Sequence, residues 1–268
     1  MIKKIFLPVL LLFLLSCSNK KTEYDANGNK TREYEFKNNK LDGNLKEFYP
    51  NGNIKSNFLF KEGVFIDSSI QYNLKKEITQ IDFYKKNKIN YIKFYVNNYL
   101  ESEGCYKDKK IGKWKYYKKN RILDKIIEYK DLCGKQYTNQ SWYFNKKGNS
   151  IKKFGYGNHY TLTMQKNNYK VDEVISIKIV YKPLLYINSN SIICMSPYID
   201  KSFCNFNKIK LDTIFSNDHN FDIKLSFSKK GNKNLRGFIK EFYNTTDPKD
   251  TIASVESFMY FDIPIKIE

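Results

Sequence analysis

Aromatic residues recur at regular intervals along the first half of the chain. Six tyrosines are spaced 22 to 26 residues apart, and each is followed 11 or 12 residues later by a second aromatic residue. The first positions are Tyr24, Tyr49, Tyr72, Tyr95, Tyr117 and Tyr143, and the second are Phe36, Phe60, Tyr84, Tyr106, Tyr129 and Phe154. A period near two dozen residues is too short for a helical-hairpin repeat, so it predicts an array of smaller structural units.

The second copy indicates that each unit is a β-hairpin. Ile54, Ser56, Phe58 and Phe60 fall on one face of a predicted strand, and Lys55, Asn57 and Lys61 fall on the opposite face. Asn51-Gly52, and Asn27-Gly28 in the first copy, are predicted as two-residue hairpin turns because such turns need positive φ. The repeated aromatic residues are then expected to have a structural role, stacking as rungs on one face of a sheet.

These copies share a glycine, an aromatic pair, an Asn-Gly turn and a final aromatic residue followed by Lys. In these features they resemble the bacterial variant of the MORN repeat, over about residues 23–157. The resemblance implies an elongated, twisted antiparallel sheet of stacked hairpins without catalytic residues. Proteins with this variant include envelope lipoproteins and chains labelled as antitoxin components. The copies around Tyr72 and Tyr95 lack the leading glycine and the Asn-Gly turn, so the motif does not set their register.

From residue 158 to residue 268 the period is absent and short strand-like runs follow one another. The runs are 160–164, 174–181, 191–195, 208–215, 221–227, 235–242, 253–261 and 263–267. Their number and spacing predict an immunoglobulin-like β-sandwich. The chain is therefore expected to be all-β, with an elongated antiparallel sheet of stacked β-hairpin repeats followed by a sandwich.

The N-terminus has the pattern of an export signal. Lys3 and Lys4 precede an apolar run at 5–15, which is too short to span a bilayer as a stable helix. Leu14-Leu15-Ser16-Cys17 resembles the lipobox of bacterial lipoproteins, which implies cleavage after residue 16, acylation of Cys17 with palmitate-type chains and a short tether at 17–22. We therefore expect a lipid-anchored envelope protein, at the outer membrane; the alternative is a plain signal peptide that ends in cysteine.

The net charge of +19 is unevenly distributed. Residues 17–158 carry 30 Lys and Arg against 16 Asp and Glu, whereas residues 159–268 carry 15 against 12. Only three of the basic residues are arginine, the side chain that phosphate and base-edge recognition favours, so nucleic acid is not expected as a partner. The excess lysine reflects either an A/T-rich genome and solvation or attraction to acidic envelope components.

The residue pattern contains no recognised catalytic or cofactor-binding motif. His159 and His219 show no metal-ligand spacing and are expected to be surface loop residues. A nucleophile elbow, a phosphate-binding loop and a calcium loop are also absent from the sequence. We therefore expect neither an enzyme nor a bound metal or cofactor.

Four cysteines besides Cys17 belong to a chain that is expected in an oxidising compartment. Two disulfides are predicted, Cys105–Cys133 between neighbouring repeats and Cys194–Cys204 within one strand-loop-strand unit. Three pairings are arithmetically possible, and the alternative is four reduced cysteines.

Two threonines are candidates for modification. Asp212-Thr213-Ile214 and Asp250-Thr251-Ile252 resemble the short O-glycosylation motif of Bacteroidota envelope proteins, which implies glycans on Thr213 and Thr251. The alternative is a chance match at threonines near strand ends.

Three functional hypotheses follow from these patterns. The leading one is a non-enzymatic, lipid-anchored envelope protein that binds a protein or glycan partner or acts as a scaffold. The second, carried by the family resemblance, is an immunity or antitoxin-like protein that neutralises a toxin. The third is a periplasmic hydrolase.

Overall fold

The computed structural model describes residues 19–151, 157–183, 189–246 and 252–268. These residues form β-strands and one short 3-10 helix, Phe206–Lys208, which confirms the all-β prediction. The chain divides into two compact units, Met1–Lys88 and Ile89–Glu268. The signal peptide and Cys17 lie outside the described residues.

The first eleven strands follow one another in chain order within an antiparallel sheet, as the hairpin repeats predict. They are β1 (Asn19–Tyr24), β2 (Lys30–Lys37), β3 (Lys40–Phe48), β4 (Ile54–Lys61), β5 (Val64–Tyr72), β6 (Ile78–Lys85), β7 (Lys88–Val96), β8 (Tyr99–Cys105), β9 (Gly112–Tyr117), β10 (Leu123–Leu132) and β11 (Lys135–Tyr143). Because β1 begins at Asn19 and pairs with β2, the strand already occupies part of the segment expected to be a tether.

Two-residue turns connect strands after the second aromatic position of four repeats and, in the fourth repeat, after the first aromatic position, Tyr95. Both residues of each turn have positive φ, which is the geometry of the hairpin turn that matches strand twist. These turns are Asn38-Asn39, Glu62-Gly63, Lys86-Asn87, Asn97-Asn98 and Cys133-Gly134.

Five-residue turns connect β1 to β2, β3 to β4, β5 to β6 and β9 to β10, and a fifth such turn follows β11, whereas the longer segment 106–111 joins β8 to β9. In each turn, the N–H of the first residue donates to the carbonyl of the fifth residue, and the N–H of the fourth residue donates to the carbonyl of the first residue. The turns span 25–29, 49–53, 73–77, 118–122 and 145–149. The prediction of two-residue turns at Asn27-Gly28 and Asn51-Gly52 is therefore wrong: of each pair, only the glycine has positive φ, because it closes a wider turn as a bulge residue.

The third and fourth repeats differ in how far they depart from this scheme. The third keeps the five-residue turn, with Lys76 at φ 64° in the place of glycine. In the fourth, Tyr95 is followed by the two-residue turn Asn97-Asn98, and Tyr106 forms an isolated bridge with Lys110 instead of ending a strand. The fourth repeat is therefore the one in which the strand register changes, and the motif residues that it lacks could not fix that register from the sequence.

Most of the described repeat aromatic residues are half-buried, and two of them, Phe60 and Tyr84, are joined through Phe65, a ring outside the repeat set, in a short stack that we call the aromatic ladder. Within the first unit, the ring centroids of Phe60 and Phe65 are 4.4 Å apart, and those of Phe65 and Tyr84 are 4.3 Å apart. Among the described members of the repeat set, only Phe60 is buried, and Tyr24 is 64% exposed. Phe154 lies outside the described residues. The ladder thus stabilises neighbouring strands without the enclosure of a two-layer core.

The remaining strands form two sheets that pack face to face, so a β-sandwich follows the long sheet as predicted. The three-stranded sheet has the order β12-β14-β17, and the five-stranded sheet has the order β13-β19-β18-β15-β16. Ile177 and Phe221 of the first sheet share a buried cluster with Ile193, Ile239 and Phe261 of the second. The strands are β12 (His159–Met164), β13 (Asn168–Tyr169), β14 (Ile175–Lys182), β15 (Asn190–Ser196), β16 (Asp212–Ser216), β17 (Asn220–Leu225), β18 (Gly231–Thr246) and β19 (Ile252–Ile267).

The last two predicted strands are a single strand, β19, which continues through Pro264. The N–H groups of Tyr260 and Lys266 point away from β18, since they donate to Asn139 and Asn167. Because the direction of the backbone N–H groups alternates from residue to residue along a strand, the backbone nitrogen of residue 264 also points away from β18. Proline therefore removes no hydrogen bond from the β18–β19 ladder, which explains why the strand is not interrupted.

Candidate functional site

The last repeat strand, β11, binds the edge of the sandwich within the second unit. Tyr137 Oη donates to the Phe258 carbonyl at 2.7 Å, and the Asn139 amide donates to the Tyr260 carbonyl at 2.8 Å. The Tyr260 N–H returns a bond to Asn139 Oδ1 at 2.7 Å. These side chains satisfy backbone groups that an edge strand would otherwise expose. Residues on both sides of position 157 consequently belong to one compact unit.

A disulfide joins Cys133 to Cys204 across 71 residues, with their Cα atoms 5.2 Å apart. The predicted pairings Cys105–Cys133 and Cys194–Cys204 are wrong. Strand β9 lies between β8, which ends at Cys105, and β10, so the first pair is not on adjacent strands. Cys194 is held inside β15 opposite Phe238 and Thr213, whereas Cys204 belongs to a loop.

The loop that carries Cys204 has an ordered hydrogen-bond network. Asp200 Oδ1 accepts bonds from the Ser202 hydroxyl at 2.8 Å and from the Cys204 N–H at 3.0 Å. These bonds hold the pKa of the Asp200 carboxyl below its usual value. The Cys133 N–H also donates to the Ser202 carbonyl at 3.0 Å, next to the disulfide. The loop and the β10–β11 turn are therefore fixed against each other by two kinds of bond.

A cleft with a volume of 540 Å³ lies beside this disulfide. Its charged lining residues are four lysines and two aspartates, which we call the lysine cleft: Lys107, Lys109, Lys130, Lys201, Asp131 and Asp262. Ile111, Ser202 and Phe203 complete the lining. The lysines come from the turn before β9, from β10 and from the Cys204 loop, so three separate segments supply the positive charge.

Both aspartates of the lysine cleft already have basic partners. Asp131 pairs with Lys109 at 2.8 Å, and Asp262 pairs with Arg236 at 3.1 Å. Among the described residues, Lys107, Lys130 and Lys201 have no acidic side chain within ion-pair distance. Lys130 Nζ instead lies 5.7 Å from the ring centre of Phe203, which is buried. The cleft thus has an excess of positive charge that an acidic group could neutralise.

Neither histidine is the surface loop residue that the sequence predicts. His159 lies in strand β12, half-buried, with its ring 5.6 Å from that of Trp142. His219 is 8% exposed, and its Nδ1 is 2.9 Å from Ser191 Oγ. Burial lowers the pKa of both imidazoles, and Lys182 adds to the effect at His159. His159 therefore packs against the last repeat strand, and His219 is buried at the turn between β16 and β17.

A serine hydroxyl beside a histidine, as in Ser191 and His219, can act as a nucleophile with its general base. Here the surroundings of the pair indicate a structural role instead. Ser191 is fully buried, and its hydroxyl also donates to the Ser216 carbonyl at 3.4 Å. The buried Glu241 nearby accepts bonds from Tyr181 at 2.7 Å and Ser189 at 2.6 Å. The Ser191 hydroxyl is therefore buried within an interior network that joins strands and is not accessible to a substrate, although His219 Nε2 has no hydrogen-bond partner among the described residues.

The other predicted sites are dispersed. Thr213 is exposed on β16, where a glycan could be accommodated, and Thr251 lies outside the described residues. Cys105 is exposed, and burial raises the pKa of the Cys194 thiol. In the described ranges, no cluster of His, Cys, Asp and Glu is suited to a metal ion. No helix found in those ranges is long and apolar enough to cross a membrane.

Comparison of the chain with protein-family models and with curated proteins gives no match. The assignment of the lysine cleft as the candidate functional site is therefore based on its geometry alone.

Proposed function

We propose that the chain is a non-enzymatic, lipid-anchored cell-envelope protein that binds an acidic glycan or protein partner in the lysine cleft. The observation that carries the proposal is the convergence of Lys107, Lys130 and Lys201 on a cleft whose aspartates are already paired. The disulfide beside the cleft holds its walls in place before a ligand arrives, which reduces the entropy cost of binding.

The envelope part of the proposal is supported by the lipobox-like residues that end at Cys17. Two or more acyl chains give stable anchoring, at about 0.8 kcal/mol for each buried methylene. Mass spectrometry of the mature N-terminus tests it. An acylated Cys17 is expected, and a mature peptide that still contains Ser16 would contradict it.

Binding of a defined acidic ligand tests the lysine cleft. Oligogalacturonate supplies carboxylates, and its methyl ester is a neutral ligand of the same shape. We expect the full-length protein in detergent to bind the acid and not the ester, in calorimetry at low salt. Replacing Lys107, Lys130 and Lys201 by Gln should weaken binding by about tenfold or more, since each charge-assisted hydrogen bond contributes about 1.5–3 kcal/mol.

A second triple variant controls for net charge. Lys37, Lys61 and Lys85 are exposed lysines that follow second aromatic positions of the repeats, and their replacement by Gln removes the same charge. This variant should bind the acid as the wild type does. Equal losses in the two triple variants would show that total charge, and not the cleft, attracts the ligand.

A further inference from the structure

Four aromatic rings surround the ammonium group of Lys110. Its Nζ lies 4.4 Å from the ring centre of Trp114, 5.1 Å from Tyr116, and 5.8 Å from both Phe94 and Tyr129. Each distance is within the range of a cation–π interaction. We call these four rings the aromatic cage. It shares no residue with the lysine cleft.

The cage is held by contacts that do not involve Lys110. Trp114 is fully buried, and its Nε1 donates to the Cys105 carbonyl at 2.9 Å. Gly104 packs against the indole so closely that a Cβ atom there would be 2.5 Å from the ring. Tyr116 and Tyr129 are joined by a 2.7 Å hydrogen bond between their hydroxyls. The rings therefore have a fixed arrangement that precedes the binding of any cation.

The cage holds the ammonium group of Lys110 with no carboxylate of the described residues within ion-pair distance, although Glu101 acts on Tyr116 electrostatically. Within the described part of the chain, Lys110 forms no ion pair, and its ammonium group donates a hydrogen bond to Tyr116 Oη at 3.0 Å. Burial raises the pKa of Tyr116, and it raises that of Tyr129 to about 12, so both hydroxyls remain neutral near pH 7. A site of rings and a neutral hydroxyl favours any alkylammonium group of suitable size, not lysine alone.

We propose that the aromatic cage is a binding site for a small alkylammonium compound of the choline class, and that Lys110 occupies it in the free protein. Lys110 lies in the turn before β9, so the ligand takes the place of a side chain that a surface turn supplies. The ligand can enter only those molecules in which Lys110 has left the cage. The apparent affinity is therefore the intrinsic affinity multiplied by the fraction of molecules with an open cage.

Choline binding to a variant with an open cage tests this proposal. In a Trp142→Phe background, Trp114 is the single tryptophan and reports on the cage by its fluorescence. We expect Lys110→Ala to bind choline about tenfold or more tightly than the protein with Lys110 does, because the occupying cation is gone. The neutral isostere 3,3-dimethyl-1-butanol should bind about tenfold more weakly than choline, since it lacks the charge that the rings attract.

Two comparisons make the result specific. Lys113→Ala in the same background removes a lysine of β9 that does not occupy the cage, and it should give no gain in affinity. Glycerophosphocholine should bind as choline does if the natural ligand is a phospholipid headgroup, whereas a site that binds choline but excludes glycerophosphocholine takes the free alkylammonium compound.

The protein with Lys110 intact provides a second measurement that does not depend on the folding of the variant. Nitrogen-15 NMR of its lysine ammonium groups should show the Lys110 signal moving, in a saturable way, toward the values of solvent-exposed lysines as choline is added. The proposal is overturned if neither Trp114 fluorescence nor the Lys110 signal shows saturable choline binding, or if the neutral alcohol binds as well as choline. Those outcomes would leave the lysine cleft and its ligand unaffected.

Discussion

Cys133 holds a position in the structure that is unusual for its residue type. It is the first residue of a two-residue turn and has φ of 51°, a conformation that favours Gly, Asn or Asp. The side chain nevertheless links this turn to a loop 71 residues away. The cross-link restricts the unfolded chain, and this gain offsets the conformational cost of the turn.

Removing the disulfide should lower the free energy of unfolding. We expect Cys133→Ser to cost about 2–4 kcal/mol, the usual value for a native cross-link. Denaturant unfolding of the full-length protein measures the loss. Cys105→Ser is the matched control, because Cys105 is exposed and unpaired, and it should change the free energy by less than about 0.5 kcal/mol. Equal losses in the two variants, or a mapped Cys105–Cys133 peptide, would contradict the assignment.

The lysines of the cleft could not be identified from the sequence. Lys107, Lys130 and Lys201 belong to no motif, and the chain has many other lysines with the same local pattern. Charge counting assigns most of the excess to residues 17–158, yet Lys201 comes from the sandwich. Only the docking of the Cys204 loop beside the β10–β11 turn brings the three together, and no local propensity encodes that contact.

The alternation of two turn types explains which parts of the repeat were predictable. Strand positions follow from the period and from side-chain alternation, both of which are local. The Asn-Gly pair does not distinguish the two turns, because a two-residue turn needs positive φ twice and a bulge turn needs it once. Lys76 and Arg121 take the bulge position in two copies, so the missing glycines there do not remove the turn.

Exchanging glycine at this turn position should change stability in opposite directions at two sites. Lys76→Gly should raise the free energy of unfolding by about 1 kcal/mol, because a residue with a Cβ atom is strained at positive φ. Gly52→Ala, at φ 80° with open space around the added Cβ, should lower it by a similar amount. Hydrogen exchange of residues 40–85 checks both. A gain for Gly52→Ala, or a loss for Lys76→Gly, would show that backbone strain does not control these turns.

The two compact units have different sources of stability. The first is a sheet whose aromatic ladder is half-buried, whereas the second has the large apolar core of the sandwich. The repeat pattern predicts the kind of sheet, but it does not reveal that the last repeats and the sandwich share one unit. That arrangement depends on long-range bonds such as those of Asn139 to Tyr260. The lysine cleft lies in this second unit, beside the disulfide.

Hydrogen exchange with and without an acidic ligand tests the lysine cleft as the binding site. The full-length protein would be compared in the presence of oligogalacturonate and of its neutral methyl ester. The acid should slow exchange in the turn at 106–112, at 130–134 and in the loop at 200–205, where backbone amides border the cleft. The triple Lys→Gln variant of the cleft should show no such protection. Protection confined to residues 19–88, or the same protection with the methyl ester, would contradict the proposed function.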